Sequence, residues 1–474
     1  MNSGIHIRFE PRQDLTHTRK ELRARNVQLV EQLNFFILLG LIALTSIPHG
    51  TVEAWWIGAF ECGAFALGGA WGAAGLYRQT WRLTDGILLA LPAALLVLAF
   101  VQILPLVGSA ARVPLSADPY QTRLWILHFG ALLIVGALLL QYTNNLSRLR
   151  SLVFVIISIG VISALFAIAR QLMFVPSPGS GSSLTAEASF GQFINRNHFA
   201  LLMEMTLGLV AGIVIGGGAR HGHLPFYLAI IAVLWIALVW SNSRGGIMSM
   251  IGQSLLLALI WNLRFKRTKA GRRIPKPFSR LRHLAASRGV RAILTLGLVI
   301  FMCLGVVWVG GDSLRQRIET LPRELKTTNP THENSSRVAI WKATLRMIKD
   351  HPVAGVGFGG FSTALPRYHE GSGLWIPEEA HNDYLEITAS GGIFALLLAV
   401  SFAAIVTRRA WFSFTNSPDG FRRAAALGAL VGLFGLMIHS LVDFGAHVTI
   451  NALIIVSLIV VATVRIPAAK IVNC

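Results

Sequence analysis

Long apolar segments separated by short polar connections make up most of the chain. A segment of about 20 apolar residues can cross a bilayer core of about 30 Å. About twelve such segments recur, at residues 32–48, 52–75, 84–107, 123–141, 151–175, 198–218, 223–241, 244–263, 291–311, 383–407, 424–442 and 448–465. Two long polar stretches interrupt them, at 264–291 and 312–382. The pattern predicts an all-α polytopic membrane protein with about 12 transmembrane helices.

The polar stretch 312–382 contains a helical pattern of its own. Val338, Trp341, Leu345 and Ile348 recur at helical spacing, which predicts an amphipathic helix of about 14 residues that ends before Pro352. Its candidate N-caps are Asn334, Ser335 and Ser336. Its apolar face would lie on the membrane surface or against the helical bundle. The glycines that follow predict a tight turn rather than a phosphate nest, since the Lys-Ser/Thr of a nucleotide P-loop is missing.

Composition and charge agree with a membrane protein and indicate its orientation. Hydrophobic residues make up 54% of the chain and charged residues 14%, too few charges to cover a soluble surface. Residues 264–291 hold eleven Lys or Arg and no acidic residue, whereas 312–382 hold nine basic and eight acidic residues. The positive-inside rule therefore places the first stretch in the cytoplasm and the second outside. Basic loops held on the cytoplasmic side explain the net charge of +20 without nucleic acid as a partner, and the basic loop 264–291 would also contact lipid headgroups.

These features predict four parts of the chain. Residues 1–31 form a basic cytoplasmic N-terminal tail, and 32–311 contain transmembrane helices 1–9 with the basic cytoplasmic loop 264–291. Residues 312–382 form a large external loop, and 383–474 contain transmembrane helices 10–12 and a short cytoplasmic tail. We expect catalytic residues where the external loop returns to the membrane surface.

Two residues at this predicted outer surface are candidates for chemistry. His381 directly precedes a membrane helix that starts around Asn382. The positive end of a helix disfavours an imidazolium, so a neutral His381 could act as a general base, the alternative being a capping or interfacial histidine. Arg244 lies where two predicted spans meet at the same surface. An arginine at membrane depth needs a partner, either a lipid phosphate or the phosphates of a bound substrate.

Other arginines lie at the outer ends of the predicted spans and in the external loop. Arg337 opens the predicted loop helix, although an ordinary surface position is the alternative for it. Arg170 and Arg196 lie at the outer ends of their spans. Several arginines converging on the outer face would form an anion-binding site.

The histidines and acidic residues near the last spans could either bind a metal or have a structural role. His439, Asp443 and His447 have the i, i+4 and i+8 spacing of metal ligands. We favour hydrogen bonding and capping, because the helix is expected to end near Asp443 and two turns separate the histidines. Glu61 and Glu204 are intramembrane carboxylates that either serve a proton path or are neutral and hydrogen-bonded.

Several short motifs follow one another in a distinctive order. They are Gly191-Gln-Phe-Ile-Asn195-Arg196-Asn197, Ser241-Asn-Ser-Arg244-Gly-Gly, Arg337-x3-Trp341 with Pro352-x2-Gly355-x-Gly357, His381-Asn382-x-Tyr384-Leu385, and His439-Ser-Leu-Val-Asp443-Phe. Their order, together with a large external loop between two late spans, resembles the bacterial O-antigen ligase and O-antigen polymerase superfamily of lipid-linked glycan transferases. The resemblance covers about residues 185–465 and implies a GT-C-like membrane fold.

The resemblance also implies a function and a set of site residues. It implies a metal-independent, inverting glycosyltransferase, without a cofactor, whose site faces the periplasm at the bacterial inner membrane. Such an enzyme moves a glycan from undecaprenyl diphosphate to an acceptor hydroxyl on lipid A-core or on a growing polysaccharide. The catalytic residues implied by the motifs are His381, Arg244 and Arg337, with His381 as the general base, and Arg346 and Arg367 are alternatives to Arg337. The candidate substrate-binding residues are Arg170, Asn195, Arg196, Asn382 and Tyr384.

Other functions stay open on the sequence alone. Ligase and polymerase are not separated by these motifs. A flippase or exporter of lipid-linked oligosaccharide would share the spans and an arginine-lined cavity, although the paired halves typical of many transporters are not visible here. An intramembrane metal hydrolase that used His439, Asp443 and His447 would be sensitive to chelators.

Overall fold

The computed structural model describes residues 13–47, 49–78, 84–105, 114–173, 189–219, 221–267, 337–369 and 377–466. Across these ranges the chain forms thirteen α-helices and no β-strand. The helices are α1 (Gln13–Leu44), α2 (Ala54–Arg78), α3 (Gly86–Ile103), α4 (Pro119–Tyr142), α5 (Leu146–Met173), α6 (Arg196–Ile215), α7 (Leu224–Trp240), α8 (Arg244–Arg267), α9 (Arg337–Asp350), α10 (Phe361–Ala364), α11 (Asp383–Asn416), α12 (Gly420–His439) and α13 (Thr449–Thr463).

The helices confirm the predicted all-α polytopic class. Seven helices in the described ranges are long and apolar enough to cross a membrane: α3, α4, α5, α6, α8, α11 and α12. Shorter apolar helices occupy Leu29–Leu44 within α1 and the whole of α7 and α13. The predicted span 52–75 corresponds to α2, whereas the predicted span 291–311 lies outside the described residues.

Helix α1 begins at Gln13, well inside the predicted N-terminal tail 1–31. The prediction followed the apolar run alone and therefore did not anticipate helix in the tail. This part of the chain is rich in Leu, Arg, Glu and Gln, all of which have a high intrinsic preference for helix. A polar helix therefore leads without a break into the first apolar segment.

Helices α6 and α12 pack together in the middle of the bundle, where glycines let their backbones touch. A side-chain carbon added at Gly212 would lie 2.3 Å from the Cα of Gly428, and one added at Gly428 would lie 2.2 Å from the carbonyl oxygen of Leu209. Small residues are the usual means of close helix packing in membranes, where the hydrophobic effect does not drive association. This contact joins the second half of α6 to the first half of α12.

Helix α11 is interrupted at Gly392, whose φ of 66° lies in the left-handed region that favours glycine. The glycine-rich segment 352–360 packs into this break, so closely that a side-chain carbon at Gly392 would lie 2.0 Å from a carbonyl oxygen of the segment. Three backbone hydrogen bonds join the two parts: Val356 N–H to Ala389 O (2.9 Å), Gly357 N–H to Ser390 O (3.0 Å) and Ile393 N–H to Pro352 O (2.9 Å). Because amides of the segment are bonded to carbonyl groups, the structure supports the predicted turn over a phosphate nest.

Gln102, near the end of α3, binds both this segment and the broken turn of α11. Its fully buried side chain donates to the carbonyl oxygens of Ala354 (2.6 Å) and Ser390 (2.8 Å) and accepts from the N–H of Phe358 (3.2 Å). An amide side chain can satisfy donors and acceptors at once, which suits it to a buried irregular backbone. The glycine-rich segment is therefore anchored to both α3 and α11.

The predicted loop helix is confirmed as α9, which has 14 residues and ends before Pro352. Its buried residues include Ile340, Ala343 and Met347, which pack on the 361–365 segment and on α11. The helix therefore lies on the bundle. The predicted face was wrong in part, since Val338 and Leu345 are 42% and 55% exposed. Apolar residues occur on both sides of this helix, so periodicity alone did not select the buried face.

Charged side chains lie at both ends of the bundle. At one end, arginines bind helix ends and acids: Arg409 pairs with Asp85 (3.0 Å), and Arg422 donates to the carbonyl oxygen of Val464 (2.7 Å). At the other end, the segment 440–448 after α12 contacts the residues that start α11. Arginines occur at that end as well, among them Arg196, Arg244 and Arg337. The predicted orientation in a membrane stays a prediction.

Candidate active site

A buried carboxylate, Asp443, lies at the centre of the candidate site. It follows α12 in the segment 440–448 and its side chain is only 2% exposed. Its Oδ1 lies 3.4 Å from Nδ1 of His381, and its Oδ2 lies 3.7 Å from a terminal guanidinium nitrogen of Arg337. The Nε2 of His439 lies 4.0 Å from the same Oδ2. The structure thus brings two of the predicted catalytic residues, His381 and Arg337, to one acid.

The backbone around His381 is fixed from several directions. His381 has a φ of 52°, a left-handed conformation that is uncommon for a residue with a side chain. Immediately before it, Ala380 donates its N–H to Glu386 Oε2 (3.0 Å) and accepts from the indole of Trp341 (3.0 Å). Immediately after it, Asn382 donates its side-chain amide to Leu441 O (2.9 Å). These bonds hold the histidine at the point where α9, α11 and the 440–448 segment meet.

The charge on Asp443 decides which nitrogen of His381 carries a proton. Burial raises the pKa of the Asp443 carboxyl, but the hydrogen bond with His381 and the positive charge of Arg337 outweigh it and hold that pKa well below its usual range. An ionised carboxylate only accepts hydrogen bonds, so Nδ1 of His381 is the donor. The lone pair of a neutral His381 then lies on Nε2, on a side chain that is 30% exposed.

Arg337 is the loop arginine that contacts this group. It is the first residue of α9, its side chain is 41% exposed, and one of its terminal nitrogens lies 3.7 Å from Asp443 Oδ2. Arg346, an alternative, instead donates to the carbonyl oxygen of Tyr368 (2.6 Å). Arg367, the other alternative, lies in the short 3₁₀ turn Leu365–Arg367. The geometry therefore favours Arg337 among these three candidates.

Arg244 lies close to the same group. It is the first residue of α8, and the next residue, Gly245, packs on the end of α12. A side-chain carbon added at Gly245 would lie 3.0 Å from Nε2 of His439 and 3.1 Å from the side chain of Val442. The start of α8, with its partial positive charge, therefore abuts the segment that carries Asp443.

Arg170, Asn195 and Arg196, which were predicted to bind substrate, lie in or beside the turn 190–196. Arg170, in the last turn of α5, donates to the carbonyl oxygen of Gly191. Asn195 is the N-cap of α6, and its side chain accepts from the N–H of Asn197 (2.9 Å). Arg196 is the first residue of α6. The hydrogen bonds of Arg170 and Asn195 thus stabilise this turn, and a role of these residues in substrate binding stays a prediction.

Asn382 and Tyr384, predicted as substrate-binding residues, tie α11 to its neighbours. The side-chain oxygen of Asn382 caps α11 by accepting from the N–H groups of Tyr384 and Leu385, both at 3.0 Å. The hydroxyl of Tyr384 donates to the carbonyl oxygen of Met437 in α12 (2.8 Å). Both side chains therefore have structural partners, and their predicted contact with substrate is not tested by this geometry.

His447 is separated from the metal-like set predicted for it. Helix α12 ends at His439 rather than near Asp443, so the i, i+4, i+8 spacing does not follow one helix. His447 pairs instead with Glu379 (3.5 Å) and Glu386 (3.7 Å). Partial burial lowers the pKa of His447, but the carboxylates of Glu386 and Glu379 raise it well above its usual value.

Within the described part of the chain, Glu379, Glu386 and His447 have ligand atoms within 4.8 Å of one another. The positive charge of His447 lowers the pKa of Glu379 to about 2, although burial alone would raise it. An ion pair between the His447 imidazolium and the Glu379 carboxylate therefore explains why these side chains lie together. This cluster links the stretch before His381 to the segment that carries Asp443.

Sequence reasoning did not identify Asp443 as the group that joins His381 to Arg337. The available signal was an isolated acid directly after an apolar helix, where an ionised side chain is costly without partners. That signal was interpreted through local spacing alone. The ion pairs of Glu379 and Glu386 were missed in the same way, since their partner lies far along the chain.

Comparison with protein families adds independent support. Residues 228–400 match the family model described as O-antigen ligase. The match contains Arg244, Arg337 and His381 and ends within α11, before Asp443. No curated protein matches the chain. The family match, which covers residues 228–400 of the 474-residue chain, therefore supports the resemblance seen in the motifs.

Proposed function

We propose that the protein transfers a glycan from undecaprenyl diphosphate to an acceptor hydroxyl at the periplasmic face of the bacterial inner membrane. The family match supports an O-antigen ligase or polymerase type of function and a glycosyltransferase-like enzyme. The acceptor is lipid A-core for a ligase and a growing polysaccharide for a polymerase. The finer assignment, including the residues and the inverting mechanism, is inferred from the site.

One observation carries the proposal: the buried Asp443 contacts both His381 and Arg337. A base held by a third group is the arrangement that general base catalysis requires. The same carboxylate stabilises the imidazolium that forms when His381 takes a proton. Arg337, 41% exposed, can turn the rest of its guanidinium toward a bound phosphate.

The reaction would proceed by a single displacement. Nε2 of His381 takes the proton of the acceptor hydroxyl while its oxygen attacks the anomeric carbon of the donor sugar. The bond from that carbon to the diphosphate breaks, and undecaprenyl diphosphate leaves with the electron pair, so that the configuration inverts. Arg337 and Arg244 stabilise the negative charge that develops on the leaving diphosphate. In this scheme positive side chains do the work that a metal ion does elsewhere.

The position of the site suits a lipid-linked donor. His381 and Asp443 lie at the ends of apolar helices, where a polyprenyl chain can remain in the bilayer while its diphosphate reaches the arginines. The opposite end of the bundle carries Arg409 and Arg422, as expected for a cytoplasmic side. A periplasmic site has no ATP, so the energy for transfer comes from the activated donor itself.

The proposal is tested with purified wild-type protein in vesicles that contain a lipid-linked donor and an acceptor, without any energy source. We expect a glycosylated acceptor, and no loss of product when a chelator is added. Arg337→Ala is expected to lose most activity, whereas Arg346→Ala, at a described loop arginine that bonds Tyr368, is expected to keep it. Movement of the donor across the bilayer without any product would favour a flippase instead. Strong inhibition by chelation would contradict the metal-independent scheme.

Lipopolysaccharide gels of a deletion strain separate the two forms of the proposal. Loss of all O-chain bands indicates a ligase. A band with a single repeat indicates a polymerase.

A further inference from the structure

Two polar side chains lie deeper in the bundle than Asp443, and the proposed reaction does not use them. Glu204 in α6 is 0% exposed and His439 at the end of α12 is 1% exposed. Oε2 of Glu204 lies 3.0 Å from Nδ1 of His439. Ionisable side chains are costly at membrane depth, so this pair needs a structural or a functional reason.

His439 joins the pair to Asp443. Its second ring nitrogen, Nε2, lies 4.0 Å from Oδ2 of Asp443 and has no hydrogen-bond partner among the described residues. Gly245 packs against the same nitrogen, since a side-chain carbon there would lie 3.0 Å from it. The imidazole is thus confined between α6, the start of α8 and the segment after α12, with one nitrogen toward each carboxylate.

We propose that Glu204 is a positioning residue that acts through His439 on Asp443. The inference rests on the proposed function, in which Asp443 orients His381 and Arg337. The Glu204 carboxylate fixes the rotation of the His439 ring and balances its positive charge, so that a protonated Nε2 faces Oδ2 of Asp443. With Oδ2 held in this way, Oδ1 of Asp443 stays on Nδ1 of His381.

The effect of Glu204 is expected in the pH dependence of transfer as well as in its rate. Among the described residues, the charged or titratable groups that interact with the pair or with Asp443 are His198 of α6, Arg337 of α9, His381 and Asp383 at the start of α11, and Asp443 and His447 after α12. Arg244 begins α8, whose next residue, Gly245, packs on His439. The variants proposed here leave all of these in place. A change in the pH profile therefore reports on the Glu204–His439 pair.

The first test is Glu204→Gln in the full-length protein reconstituted in vesicles. Glutamine keeps the size and a hydrogen bond but cannot balance the charge of an imidazolium. We expect kcat to fall by about 10- to 100-fold, as for a small misplacement of a catalytic group, with the KM of the lipid-linked donor changed by less than about twofold. Without the positive charge of His439 beside Asp443, the acid limb of the pH–rate profile should move to higher pH.

A second variant tests whether Glu204 acts through His439. In His439→Asn the amide occupies the position of Nδ1 and can still bond Glu204, but no atom replaces Nε2. A similar loss of kcat is expected, and the double variant should be no slower than the slower single variant, because the two residues act in series. If Glu204→Gln does not accumulate as folded protein, the kcat and the pH profile of His439→Asn alone test the proposal.

Asp419→Asn is the matched control. Asp419 caps α12 at the opposite end of the bundle by accepting from the N–H of Arg422 at 2.7 Å. It should show the wild-type kcat and pH profile. The inference is overturned if Glu204→Gln is folded and behaves like wild type. A loss of kcat with an unchanged pH profile and additive losses in the double variant also overturns it. Full activity of His381→Ala would instead refute the proposed function.

Discussion

Replacing Asp443 with asparagine tests how the carboxylate acts on His381. The side chain keeps its shape and loses its charge. Oδ1 accepts from the backbone N–H of Phe444 (3.0 Å) and lies 3.4 Å from Nδ1 of His381, whereas Oδ2 lies 3.7 Å from Arg337. The introduced amide would therefore keep its oxygen at the Oδ1 position and place its NH₂ group at the Oδ2 position.

The size of the effect follows from the lost charge. The amide oxygen still accepts from Nδ1 of His381, but no negative charge remains to stabilise the imidazolium that forms when His381 takes the acceptor's proton. Water cannot substitute readily, because the Asp443 side chain is only 2% exposed. General base catalysis contributes about 10²- to 10⁴-fold to a rate. Because the base is weakened and not removed, Asp443→Asn should lower kcat by at least about 10-fold, or about 1.4 kcal/mol.

The assay is glycan transfer by purified protein in vesicles, with kcat and the KM of the lipid-linked donor measured separately. The donor KM should change little, because Arg337 keeps its charge. Asp419→Asn is the matched control: Asp419 caps α12 at the opposite end of the bundle by accepting from Arg422 N–H at 2.7 Å, and asparagine caps helices equally well. A folded Asp443→Asn variant whose kcat stays within about threefold of wild type would refute this reasoning.

Three further predictions concern packing, pH and orientation. Gly212→Ala should destabilise the protein by about 1–3 kcal/mol and lower its melting temperature, because the new carbon would lie 2.3 Å from the backbone of α12. Gly69→Ala is the control: the space around Gly69 is open, so its melting temperature should not fall. His447→Gln should lower the melting temperature at pH 6, and less so at pH 9. The raised pKa of His447 means that its stabilisation is complete below its unfolded value and is lost as pH rises through the folded value; an equal effect at both pH values would contradict the ion pair. Lys342→Cys, on the exposed face of α9, should react with a membrane-impermeant maleimide in cells whose outer membrane has been permeabilised. Asn144→Cys, between α4 and α5, should not react under the same conditions. The reverse labelling pattern would contradict the proposed orientation.

Local patterns predicted several parts of the fold and of the candidate site. The apolar segments predicted the helical class, and the spacing around Trp341 predicted α9 with its end before Pro352. Helix caps and motifs also pointed to His381 and Arg337, which the structure brings to the same acid. These features depend on residues close together in the chain, where helical spacing is informative.

Contacts between distant parts of the chain were less predictable. Asp443 has partners more than sixty residues away, so local spacing suggested a ligand set along one helix instead. The break in α11 was hidden because Gly392 lies in an apolar run, and its missing hydrogen bonds are supplied by a segment about forty residues earlier. Asn195 and Tyr384 show a further limit, since the side chains that cap and tie helices are of the same types that bind substrates.

The claim that His381 removes the acceptor's proton is tested most directly with His381→Ala, by measuring donor affinity and the single-turnover transfer rate on the same preparation. We predict that the donor Kd stays within about twofold of wild type, while the transfer rate falls at least about 10²-fold, as expected for loss of a general base. A variant that binds the donor normally and transfers the glycan at the wild-type rate would contradict the claim.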